Sequence, residues 1–86
     1  MPFHGSVRKI YMKAALSAVL DGINDTPNWQ EKLSRTILEA EHFGYTKKML
    51  YDDIKVYVQN FLSHVIRPMT QEKILVTLLR ELNLFH

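Results

Sequence analysis

The chain contains no cysteine, only three glycines and three prolines, and no long apolar run. The missing cysteine excludes a disulfide framework, a thiolate metal site and a cysteine nucleophile together, so stability must come from apolar packing or from association. Gly5, Gly22 and Gly44 are isolated from one another, which leaves no loop able to cradle a phosphate. The longest apolar stretches are short pieces such as Ile74-Leu75-Val76, far below the roughly 20 residues a membrane-spanning helix needs. The amino terminus runs from Met1-Pro2-Phe3-His4-Gly5 into Arg8, Lys9 and Lys13 interleaved with apolar residues, without the unbroken apolar segment of a signal peptide. The expected location is therefore the cytoplasm. Charge of one sign is also lacking: 11 basic and 9 acidic residues leave +2, too balanced for a dedicated polyanion binder.

What the 86 residues do contain is helical periodicity. A chain of this size forms one domain that buries roughly 60 to 65 % of its unfolded surface, leaving a small core and little room for a deep active site. Met12, Leu16, Val19, Leu20 and Ile23 repeat at three and four, behind Ser6 as a cap and ahead of Gly22, Asn24 and Asp25 as a stop. Thr26 before Pro27, or Asn28 with Glu31 three residues later as a capping box, starts a second helix with Trp29, Leu33, Ile37 and Ala40 on one stripe. Gly44 is placed to close it in a left-handed conformation, and Thr46 to cap a third. There Leu50, Ile54, Tyr57, Val58, Phe61, Leu62 and Val65 form a core-facing band. Pro68 interrupts, and Thr70 is expected to cap a fourth helix carrying Ile74, Leu75, Leu78, Leu79 and Leu82. Helices over 6–22, 28–43, 46–66 and 69–83 with short connections predict an all-α, antiparallel up-down four-helix bundle.

The stretch Glu39 to Asp53, EAEHFGYTKKMLYDD, admits three readings. Glu39 and His42 have the Glu-x-x-His spacing of di-iron carboxylate bundles, but those need a second such motif and two further inward Glu residues. Glu31, Glu72 and Glu81 lie on the polar sides of their stripes, so no metal or cofactor is expected. Ala40, Gly44 and Leu50 resemble the spacing of a DNA-binding helix-turn-helix, with Lys47 and Lys48 opening the recognition helix. Asp52 and Asp53 would follow near the groove, where phosphates repel them. The simplest reading is a corner between two bundle helices, with Phe43 and Tyr45 packing at the turn.

Catalytic signals are absent. Ser6, Ser17, Ser34 and Ser63 sit at helix starts or within helices, and adjacent Ser63 and His64 point about 100° apart on a helix. Asp52 and Asp53 lie side by side near a helix start, which the helix dipole favours without any pocket chemistry. Binding is the better class. Leu75, Val76, Leu79 and Leu84 widen the apolar surface of the fourth helix beyond one core stripe, and an exposed remainder would mark a partner surface. Arg8, Lys9 and Lys13 could lie against an anionic membrane or simply form a solvated flank.

With the segments placed, the chain resembles the small immunity proteins that protect lactic acid bacteria and their relatives from pediocin-like and enterocin-type bacteriocins. The resemblance runs through LSAVLDGINDTP, EKLSRTILEAEHF, the long LYDDIKVYVQNFLSHV segment and RPMTQEKILVTLLREL. It implies a cytoplasmic four-helix bundle that binds, from the inner face, a membrane permease of the mannose phosphotransferase type engaged by the bacteriocin, with no enzymatic step. In that family specificity is attributed to the C-terminal half. The polar or terminal positions of that half here are Lys55, His64, Arg67, Lys73, Arg80, Leu84 and Phe85. Many relatives extend further beyond the fourth helix than His86, a departure that argues against recognition by a tail. The alternative is a small helix-turn-helix DNA-binding protein or a helical adaptor pairing through its fourth helix.

Overall fold

A computed structural model describes residues 5–84, with side-chain surroundings from Val7 onward. Four α-helices appear in the order α1 (Gly5–Ile23), α2 (Trp29–His42), α3 (Lys47–Tyr57) and α4 (Pro68–Glu81), with a π-helical turn over Val58–Leu62 prolonging α3. The all-α four-helix bundle expected from periodicity is the observed fold, and no strand occurs among the described residues. Helix α1 is the hub: it packs against α2, α3 and α4. Its most extensive partner is α2, where Ala15 and Ala18 of α1 and Ala40 of α2 are buried side chains small enough for close approach.

The core combines Met12, Leu16 and Val19 of α1, Leu33 and Ile37 of α2, Leu50 and Ile54 of α3, and Ile74 and Leu78 of α4. Tyr45, from the α2–α3 connection, is its largest fully buried side chain. Thr36 satisfies its hydroxyl by donating to the Lys32 carbonyl at 2.9 Å. Among the described residues no buried side-chain polar atom lacks a hydrogen-bond partner.

Three helices stop in the same way. Thr26 N–H donates to the Asp21 carbonyl and Asp25 N–H to that of Gly22; Tyr45 and Gly44 repeat this pattern on Ala40 and Glu41, and Leu84 and Asn83 on Leu79 and Arg80. These paired bonds need one residue in the left-handed region, and Asp25 (φ 59°), Gly44 (φ 84°) and Asn83 (φ 58°) supply it. Gly44 is thus used as its sequence position predicts. Gly22 has another task. It lies within α1, and a Cβ there would stand 2.6 Å from Cδ2 of Trp29, so its bare backbone is the seat of the indole ring.

Starts are less regular than the sequence suggests. Thr46 caps α3 by accepting from Met49 N–H at 3.2 Å, as expected. Ser6 lies inside α1. Asn28 precedes α2 in a left-handed conformation with no side-chain cap, so the predicted capping box does not form. Pro68 opens α4 after an extended Arg67, which puts Thr70 inside the helix; a missing N–H costs nothing in a first turn.

The largest departure concerns the band on the third helix. Leu50, Ile54 and Val58 are buried, but Phe61 is 67 % exposed and Val65 77 % exposed. The π turn explains this: its extra residue per turn keeps Leu62 inward and moves the next inward position to Ile66, in steps of four from Val58.

Candidate functional site

A three-residue latch joins the first and third helices. Arg8 donates from Nε to Asp53 Oδ2 at 2.6 Å and from Nη2 to Oδ1 at 3.0 Å, while the Tyr45 hydroxyl donates to Oδ2 at 2.7 Å. The guanidinium carbon also lies 5.4 Å from the centre of the Tyr45 ring. Burial pushes the Asp53 carboxyl upward, yet the hydrogen bonds from Arg8 and Tyr45 and the guanidinium charge outweigh it, leaving the group below its ordinary range. Burial first, and then the bond to Asp53, hold the Tyr45 phenol well above its usual value. Both shifts favour the states that form the latch, carboxylate and neutral phenol. Its role is structural: it fixes α1 against α3 and turns Asp53 away from solvent.

Two open grooves flank this framework, each of about 530 Å³. The first lies where α4 passes the α1–α2 corner. Ile23 and Trp29 form its apolar side, and Met69, Lys73, Val76 and Arg80 line it from α4. Those four positions follow helical spacing on a face distinct from buried Ile74, Leu78 and Leu82, so core packing leaves them available. Glu72 contributes an acidic group to the same groove. The second groove runs between the amino-terminal half of α1 and α3, with Lys9 and Lys13 on one wall and Val56, Tyr57 and Phe61 on the other.

The seven positions named from the C-terminal half divide unevenly. Lys73 and Arg80 come together in the α4 groove. Lys55, His64 and Arg67 are exposed but line neither groove. Leu84 is half-buried and packs against the core, and Phe85 lies outside the described residues. The extra apolar width of α4 is only partly displayed: Leu75 and Leu79 are half-buried, whereas Met69 and Val76 are exposed.

The Glu39 to Asp53 stretch forms a helix corner. Glu39 and His42 border a shallow surface with Tyr11, Leu38 and Phe43, and no group of three His, Asp or Glu able to hold a metal occurs among the described residues. Lys48 pairs with Asp52 at 3.3 Å, and Asp53 is engaged by Arg8. Sequence reasoning missed the latch because Arg8 and Asp53 stand 45 residues apart, beyond the reach of any local pattern. The seat of Trp29 on Gly22 had one available signal, a glycine inside an otherwise regular helical stripe.

Fold and surface together define a small helical bundle with two mixed basic and apolar grooves and no helix, among the described residues, long and apolar enough to cross a membrane. Comparison with protein-family models, with curated proteins and with solved structures finds no match.

Proposed function

We propose that this chain acts by binding, as an immunity protein that engages, from the cytoplasmic side, a permease of the mannose phosphotransferase type occupied by a pediocin-like bacteriocin. The observation that supports this reading is the α4 stripe, which sets Lys73 and Arg80 among Met69, Val76 and the Trp29 ring on one open face. Aromatic and Arg side chains beside apolar ones are the composition of binding hot spots. Preferential binding to one state of the permease shifts its population toward that state by the differential affinity, so a bundle that favours a closed state prevents leakage.

The test is protection. Expression in a bacterium sensitive to pediocin-like bacteriocins, challenged with a panel of such peptides, is expected to give selective survival against one or a few of them. Lys73→Glu combined with Arg80→Glu should remove that survival while the helical spectrum and melting temperature stay unchanged, because both side chains are exposed. Killing by every peptide despite soluble, helical expression would overturn the proposal.

A further inference from the structure

The α1–α3 groove carries a second inference that does not depend on the immunity reading. Lys9 and Lys13 lie four residues apart on α1, one helical turn, and both are exposed. Neither takes part in an ion pair among the described residues. The acid that borders them, Asp53, is already occupied: one carboxylate oxygen accepts from Arg8 and Tyr45 and the other from Arg8 again. The wall of the groove therefore presents uncompensated positive charge. Opposite it, Val56 is 53 % exposed and Phe61 67 % exposed, with the Phe61 ring 5.3 Å from that of Tyr57. Phe61 is there because the π turn at the end of α3 moves it off the core stripe.

We infer that this groove docks an acidic amphipathic helix of a partner protein. Two neighbouring helices framing an apolar trough match the recognition mode in which a third helix lays its apolar face between them. The lysines set the polar requirement: carboxylates spaced by one turn on the incoming helix meet Lys9 and Lys13, whose separation along α1 is about 6 Å. An anionic bilayer satisfies the arrangement less well. Two lysines contribute only about 1 kcal/mol each at such a surface, and a flat plane does not fill a trough between helices.

The probe is a synthetic amphipathic peptide of about 18 residues, roughly five helical turns, with Leu and Phe on one face, Glu flanking it and a fluorescent label. Anisotropy titration of the full chain is expected to show saturable one-to-one binding that weakens with salt. Lys9→Glu with Lys13→Glu should weaken it about tenfold or more, and Phe61→Ser severalfold, with the melting temperature of each variant retained. Lys73→Glu with Arg80→Glu should leave it unchanged, which separates this surface from the α4 groove. Four results would overturn the inference: no saturable binding, equal binding of a peptide with Lys in place of Glu, equal binding by the α1 variants, or capture of the chain by phosphatidylglycerol vesicles without capture of the peptide. Concentration-dependent self-association abolished by Phe61→Ser, with no peptide binding, would also overturn it and assign the groove to a second copy of this chain.

Discussion

The α1–α2 hairpin and the segment from α3 to Pro68 are built from similarly apolar helices, yet they treat those residues differently. In the hairpin the predicted stripes face the core, Ala15, Ala18 and Ala40 allow close approach, and the Trp29 ring sits on the backbone at Gly22. Almost every position of its predicted stripes is buried or packed against the core. After Tyr57 the helix widens into the π turn, and Phe61 and Val65 of the predicted core band face solvent. Identical periodicity thus has opposite outcomes, and what separates them is a one-residue slip in helical phase. The regular hairpin supplies stability, whereas the slipped segment supplies surface that another molecule can use.

Truncation should break the comparison open. Leu33→Ala, in the middle of the hairpin core, is expected to cost about 2–5 kcal/mol in urea unfolding, enough to unfold much of a domain this small. The latch comes next. Asp53→Ala removes the acceptor that Arg8 and Tyr45 share, with an expected loss of about 1–3 kcal/mol. Its pH dependence has a definite sign. The folded carboxyl sits below its unfolded value of about 3.9, so the stabilisation is present above that value and is lost as pH falls through the depressed folded value. Acid unfolding of Asp53→Ala should lack this component. Tyr45 acts at the other end: its raised folded value means that stability declines as pH rises above about 10, a decline Tyr45→Phe should remove.

Gly44→Ala is expected to lose about 1–2 kcal/mol, from backbone strain alone because the space around a Cβ there is open. At Asn83, where the left-handed position is already held by a residue that tolerates it, glycine changes little; thermal melts of Asn83→Gly should show a change within about 0.5 kcal/mol of zero. Smallest of all is the paired control for Leu33. Phe61→Ala, a larger deletion, should change stability by no more than about 0.5 kcal/mol, since its ring lies mostly outside the core. A loss near that of Leu33→Ala would mean that the π turn is absent in solution and that the predicted α-helical band is the true one.

How much was readable from the residues depends on the range of the forces involved. Gly44 and Pro68 act through their own backbones and Thr46 through a hydroxyl that reaches only to Met49 N–H, so a left-handed stop, an interruption and a cap were legible one residue at a time. Asn28 and Thr70 show the limit of that approach. Each has capping chemistry in the right neighbourhood, but the chain enters α2 and α4 by other routes, with a left-handed Asn28 and a proline in the first turn of α4. Of the candidate contact positions, chosen only as polar or terminal residues of the C-terminal half, Lys73 and Arg80 share a face of α4, while the groove they line needs the approach of Trp29 from another helix.

The sequence by itself determined that this protein is a four-helix bundle, because apolar spacing and local backbone preference act within a turn or two of helix. Tertiary structure alone decided that Asp53 turns inward to Arg8 and Tyr45, that Gly22 receives an indole ring and that Phe61 stands in solvent. Those outcomes depend on which side chains from distant segments compete for the same buried volume and the same hydrogen bonds. That competition is settled only when the helices meet.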